Sequence, residues 1–254
     1  LSDGAQGPDI SVIPSSALKQ VEVLRDGAAA QYGSDAIAGV INFVLNDADE
    51  GGMVEARYGS YYEGDGDLMQ ISGNIGLPLS ENGFINLSAE YRTADPTSRS
   101  VQRDDAAALI AAGNTAVADP AQVWGSPEIK DDIKFFANLG LELNDNAEAY
   151  MFGNYAEREV EGGFYYRNPH NRGGVNDGGT DADGNQLLLV GDLTGDMSGN
   201  CPTDILVGDN VLQNPRYIEE VANNPDCFAF NELFPGGFTP KFGGIVTDAS
   251  LVVG

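Results

Sequence analysis

The sequence predicts a mainly β protein whose antiparallel strands are long enough to cross a membrane, preceded by a small α/β segment. Three observations lead there. From Gly51 onward apolar and polar residues alternate with period two. The connections between alternating segments are tight and long by turns. No run of about 18 apolar residues, the length of a transmembrane helix, occurs, while 33 glycines in 254 residues supply turns rather than helices.

The first 50 residues come in short pieces. Residues 14–20 read as a short helix with Pro14 set for an early helical position. Residues 21–24 are apolar and β-branched, hence a strand. Asp26-Gly27 is turn chemistry, residues 28–30 are three alanines suited to one helical turn, and Gly33-Ser34 ends it. Residues 38–45 form a second apolar strand. By period alone this is a strand–helix–strand piece of any α/β domain. Its identities are more specific. Val21, Val23, Leu24, Arg25, Gly27, Tyr32, Gly33, Ser34, Ala36, Ile37, Gly39, Val40, Ile41 and Asn42 resemble the end of the plug domain of TonB-dependent outer-membrane receptors. That pattern runs from an apolar strand through Arg-x-Gly, Tyr-Gly-Ser and Ala-Ile-x-Gly-Val-Ile-Asn to a second strand. The resemblance implies that residues 1–48 are the C-terminal part of a plug and residues 49–254 the N-terminal part of a transmembrane antiparallel β-barrel. It also implies that Arg25 pairs with glutamates of a barrel wall, as plug arginines of the family are thought to do; an exposed turn arginine is the alternative.

Residues 53–62, 68–79, 84–92 and 132–143 each alternate cleanly, and residues 148–158 form a fifth strand whose faces do not separate by sequence. Their lengths fit tilted membrane strands of about 9–11 residues. A half-buried sheet of a soluble sandwich would alternate in the same way. Loop lengths favour the barrel: residues 80–83 and 144–146 are tight turns, whereas residues 93–131 and the stretch after Arg158 are long, as periplasmic turns and extracellular loops are. Aromatic residues near strand ends, among them Tyr58, Tyr91, Tyr150 and Tyr155, are compatible with interface girdles. Residues 104–112 predict a helix inside the first long loop, with acidic residues at its start. Residues 161–254 read as an elaborated extracellular loop holding one short strand at 187–190. Cys201 and Cys227 there suit a disulfide that staples the loop; two free thiols are the alternative. Five strands cannot close a barrel, since plugged transporters use about 22 and open edges are not viable in lipid. Leu1-Ser2-Asp3-Gly4 lacks the basic and apolar regions of a signal peptide. The expectation is therefore a fragment that begins inside a larger precursor.

A formal charge of −26 excludes nucleic acid as a partner, which needs a basic footprint, and a polybasic lipid anchor. The sole histidine, His170, reads as solvated, with no neighbours at metal-ligand spacing. No Gly-x-Ser-x-Gly elbow or other catalytic constellation is present, so no enzyme, cofactor or metal is expected. Residues 177–185 are rich in Asp and invite calcium, but Val190 stands where an EF-hand would place its Glu, and an acidic turn is the favoured reading. Loop aromatics such as Trp124, Phe164, Tyr165, Phe230, Phe234 and Phe238 either stack on a sugar or pack together. The resemblance implies a receptor of the Gram-negative outer membrane that takes up a scarce nutrient such as a siderophore, cobalamin or an oligosaccharide. Its partners would be outer-membrane lipid, that ligand, and an inner-membrane TonB complex reached through a segment upstream of Leu1. A non-transporting binding or adhesion protein of the same fold is the alternative, and a secreted β-rich domain a third.

Overall fold

A computed structural model describes residues 9–25, 32, 39–170 and 177–254. The chain divides into two compact units, one of residues 1–96, 127–161 and 243–254, the other of residues 97–126 and 162–242.

In the first unit, β1 (Leu18–Leu24) pairs antiparallel with β2 (Val40–Leu45). The helix expected at residues 14–20 is only one 3-10 turn, Ser15–Ala17. Residues 18–20 instead join the ladder opposite Val44 and Leu45, because sheet hydrogen bonds outweigh the weak helix preference of so short a segment. The alanine turn at residues 28–30 lies outside the described residues.

The main sheet is built of β3 (Gly52–Gly59), β4 (Leu68–Ser80), β5 (Gly83–Ala94), β6 (Glu128–Asn144), β7 (Ala147–Gly163) and β12 (Lys241–Val253). These six strands lie in the order β12-β7-β6-β5-β4-β3. Tight turns join β4 to β5 and β6 to β7, where the sequence places them. β3 stops at Gly59, short of the expected Tyr62. By contrast, β6 and β7 run to 17 residues each. Their added ends are charged, which hides them from an apolar-periodicity reading, and Lys130 links them across the ladder to Glu159 at 3.3 Å and Glu161 at 3.0 Å.

The reading of residues 161–254 as a loop with one strand is corrected. Residues of β12 lie antiparallel along β7, with Tyr150 and Gly254 exchanging backbone hydrogen bonds of 2.9 and 3.0 Å. Gly243-Gly244 and Thr247-Asp248 break any alternation in β12, so the paired edge of β7, not an apolar period, makes it a strand. The sheet therefore has six strands, not five.

The second unit holds α1 (Asp104–Ala111), close to its expected bounds and anchored by buried Ala106 and Leu109. Two small ladders follow: β8 (Asp177–Thr180) with β9 (Gln186–Leu188), and β10 (Val190–Asp192) with β11 (Cys227–Ala229). Leu188, Ile205, Val211, Tyr217, Val221 and Ala229 form a core beneath them. Cys201 and Cys227 are bonded at its edge. The loop aromatics pack on one another: Phe230, Phe234 and Phe238 lie with ring centroids 4.9–5.9 Å apart, and Trp124, Tyr165, Phe164 and Phe242 form a chain of contacts.

The bond closes a segment with a separation of 26 residues, worth about 3.5 kcal/mol by the loop-entropy relation. Reduction, or the pair Cys201→Ser and Cys227→Ser, should expose residues 187–229 to protease well before the main sheet is cut. Unchanged cleavage kinetics after reduction would refute the staple.

Candidate functional site

The register of the main sheet assigns every strand residue to one of two faces. Pairing of Ser72 with Glu90, Glu90 with Lys134 and Lys134 with Ala156 fixes one face. Ile75 with Leu87, Leu87 with Ala137 and Ala137 with Gly153 fixes the other. The faces of β7, not separable by sequence, are thereby resolved: Asn154, Ala156 and Arg158 share the face of Lys134. The exposures are inverted relative to a soluble protein. On the apolar face Val54 is 83% and Phe135 54% exposed, and Ile71, Ile75 and Leu87 are exposed too. On the polar face Glu90 and Lys134 are 6% exposed and Asp132 1%, with Ser72, Asn86 and Ser88 also buried.

The polar face is buried because the N-terminal segments lie on it. Ser16 Oγ donates to the Gly73 carbonyl at 3.2 Å, and Asn46 Nδ2 to Asn74 Oδ1 at 3.2 Å. In return Asn138 Nδ2 donates to the Asn46 carbonyl at 3.0 Å and Asn86 Nδ2 to the Ala48 carbonyl at 3.2 Å. Chain approach is closest at Gly76, where a Cβ would strike the Ala48 carbonyl; only glycine lets the segment lie flat there. An asparagine ladder completes the contact, with Asn74 Nδ2 donating to Asn86 Oδ1 at 2.5 Å and Ser88 Oγ at 2.8 Å.

Beside this ladder lies a charge cluster. Lys134 Nζ donates to Glu90 Oε1 at 2.6 Å, and Gln70 Nε2 to Glu90 Oε2 at 3.0 Å. Asp132 Oδ2 is 2.9 Å from Arg158 Nη2 and 3.6 Å from Lys134 Nζ. The Arg158 contact is an ion pair by distance without hydrogen-bond alignment, and neither Asp132 oxygen has a hydrogen-bond partner among the described residues. Asp9, Ser11 and Val12 face the cluster across a cavity of about 180 Å³. Hydrogen bonds from the Ser11 hydroxyl and amide hold the Asp9 carboxyl below its usual range.

Among the motif residues, Gly39 has φ +133°, and a Cβ there would meet the Leu24 carbonyl oxygen at 2.6 Å, so the position requires glycine. Asn42 Nδ2 donates to Glu22 Oε2 at 2.9 Å across β1 and β2. Arg25 and Tyr32 are exposed, and among the described residues no carboxylate pairs with Arg25. Gly27, Gly33 and Ser34 lie outside the described residues.

Two loop sites differ in outcome. In the acidic turn, Asp181 Oδ1 accepts from the amides of Asp183 and Asn185 at 3.0 and 2.8 Å, and Oδ2 from Asn185 Nδ2 at 2.9 Å. These bonds lower its pKa and commit its oxygens to the turn. His170, expected to be solvated, is buried at 3% exposure. Its amide donates to Asn168 Oδ1 at 2.9 Å and it follows fully buried Pro169. Burial pushes the imidazole pKa down to about 4. The polar sequence around His170 gives no sign of this.

Residues 1–40 match the family described as TonB-dependent Receptor Plug Domain. Over 87 residues the chain is 31% identical to the vitamin B12 transporter BtuB of Photobacterium profundum, covering 34% of this chain and 14% of that protein. The chain thus spans a small part of the length of that relative. No solved structure matches it.

Removing one partner of a buried ion pair leaves the other charge uncompensated, at a cost of about 3–5 kcal/mol. Lys134→Met should lower the urea midpoint of the detergent-solubilised protein accordingly, and Lys134→Met with Glu90→Gln should recover most of the loss. Additive losses in the double variant would show that the pair is not coupled. His170 gives a pH signature. The folded imidazole stays neutral to about pH 4, whereas the unfolded one binds a proton near pH 6.5. Its contribution is therefore constant above pH 6.5 and falls by about 3 kcal/mol as pH drops toward 4. Urea unfolding of the second unit should lose that increment between pH 7 and 4 in the native protein and not in His170→Gln.

Proposed function

We propose, on the premise that the chain belongs to the TonB-dependent receptor family of the Gram-negative outer membrane, that it takes part in energised uptake of a scarce nutrient. In this reading residues 1–48 are plug and residues 49–254 barrel wall with extracellular loops. The supporting observation is the inverted sheet: its apolar face is open and its polar face is covered by residues 9–17 and 46–51. Water would penalise that arrangement, since exposed apolar area is unfavourable and polar groups are buried. Lipid reverses the sign, because an outward apolar band and a polar interior are what a transmembrane β-barrel requires.

The mechanism follows from what joins plug to wall. Side-chain amides and backbone carbonyls carry most of the contact between the N-terminal segments and the sheet. Such neutral hydrogen bonds contribute about 0.5–1.5 kcal/mol each and can be exchanged for water one at a time. A pull on the plug from an inner-membrane TonB complex would then peel it from a wall whose own ion pairs stay intact. The second unit is made of the two long connections of the chain, which in this reading are extracellular loops, and the Cys201–Cys227 bond suits an oxidising exterior. Siderophores, cobalamin and oligosaccharides are the candidate ligands; the similarity to a vitamin B12 transporter keeps cobalamin among them.

Nitroxides placed at Leu87 and Ala137 in reconstituted bilayers should be relaxed by lipid-soluble oxygen, and one at Ser88 should not. Contact of Leu87 with an aqueous nickel chelate instead would remove the barrel reading. In cells, a deletion strain should lose proton-motive-force-dependent uptake of one nutrient class and regain it on complementation. Surface binding without energised uptake would identify a non-transporting receptor or adhesin.

A further inference from the structure

The apolar face of the main sheet changes character along one line. Tyr58 Oη donates to Asp67 Oδ2 at 3.0 Å, Tyr91 Oη to Asp131 Oδ1 at 2.8 Å, and Tyr155 Oη to Glu157 Oε2 at 2.9 Å. The tyrosines stand on β3, β5 and β7, opposite Met69, Ile71 and Phe135 of the same face. Toward the tight turns this face carries no charge: Ala89, Leu87 and Ile85 follow Tyr91 along β5, and Gly153 and Met151 follow Tyr155 along β7. Away from the turns come Asp67, Asp131, Glu157, Glu159 and Glu161, with Lys130 lying 3.3 Å from Glu159 and 3.0 Å from Glu161.

The line is oblique to the ladder. Followed rung by rung to β3, Tyr91 is level with Ala56 and Tyr155 with Val54. The tyrosines therefore step two residues for every two strands. With about 3.4 Å per residue and about 4.8 Å between strands, that step is a slope of about 35°. Strands of membrane barrels are tilted by about 35–45°. The tight turns drift in the same sense: the turn closed by Gly83 is level with Leu141, whereas the next begins at Asn144. On strands tilted in this way the three tyrosines lie at one height.

Tyrosine suits a membrane boundary, having an apolar ring and a polar tip. Here each tip is committed to a carboxylate, so the boundary is anionic. Such a surface repels lipid phosphate and attracts an ammonium, by charge and through the faces of the rings. The rings are open to such a contact: Tyr58 is 74% and Tyr155 43% exposed.

We propose that Tyr58, Tyr91 and Tyr155 with their carboxylates form a level collar at the outer boundary of the membrane, an interaction surface for ammonium-bearing lipid head groups of the ethanolamine type. The inference rests on the reading of this sheet as barrel wall.

Two measurements on the full protein in phosphatidylcholine bilayers test it. Nitroxides placed singly at positions 58, 91 and 155 should report one depth to within about 3 Å, and one at Val54, on the rung of Tyr155, should lie about 10 Å deeper. Unequal depths for the three tyrosine positions, or equal depths for Val54 and Tyr155, would overturn the collar. With EDTA present, spin-labelled phosphatidylethanolamine should associate with the protein about 3-fold more than spin-labelled phosphatidylglycerol, the scale of exposed charge pairs. Asp131→Asn combined with Glu157→Gln should abolish that preference, while Asn and Gln still accept the tyrosine hydroxyls. No preference in the native protein, a preference untouched in the double variant, or selection of phosphatidylglycerol once magnesium replaces EDTA would each overturn the head-group assignment. The label at Leu87 separates this inference from the one beneath it. Leu87 in lipid with either test failing rejects the collar alone, whereas Leu87 in water rejects the membrane wall itself.

Discussion

Glu90 and Lys134 face each other across β5 and β6 with almost no exposure, and their burial constrains the rest of the first unit. Charges are removed from water at high cost unless an opposite charge stands beside them. Gln70 takes the second Glu90 oxygen, and Arg158 stands against Asp132 one rung away. These contacts need four adjacent strands in one register. A slip of one residue would turn the whole set into the apolar face and leave the charges unpaired. The ion pairs therefore specify register more than they add stability.

The same burial explains the N-terminal segment. A polar sheet face with Asn, Ser and Gln side chains can be covered only by something that offers donors and acceptors in return. Residues 46–48 do so with backbone carbonyls, free because the chain there has left β2 and has not entered β3. Irregular backbone, a liability in an apolar core, is suited to a polar one. Gly76 permits the close approach. The apolar face, lacking any such cover, is left to the solvent that suits it.

In the second unit stability comes from a small apolar core and a covalent tie rather than from long ladders. β8 to β11 are three or four residues each, too short to be stable as isolated hairpins. Leu188, Ile205, Val211 and Val221 hold them. The aromatics of this unit touch one another, while Trp124, Phe164, Tyr165 and Phe234 remain exposed. Among the described residues of this unit, Ser100, Arg167, His170 and Asn231 each bury a side-chain polar atom without a hydrogen-bond partner.

Period-two patterning is sufficient for β4 and β5, whose observed bounds lie within a few residues of those read from sequence, and the alanine-rich run opened by Asp104 and Asp105 is sufficient for the helix at residues 104–111. Alternation is a local property and survives in any register. The identities around Gly39 and Asn42 point to the family, and Gly39 has a backbone reason, contact with the Leu24 carbonyl. Other features are decided only by tertiary structure. β12 carries no period and is a strand because β7 offers it an edge. The faces of β7 follow from its register with β6. Which face is buried is not written in the alternation at all, since a soluble sandwich and a membrane wall share it; the covering of Asn86, Glu90 and Lys134 by residues far away in sequence decides it. His170 departs from its sequence reading for the same reason. Its neighbours are polar, and it lines a cavity with α1 and β9, elements that no local pattern connects to it.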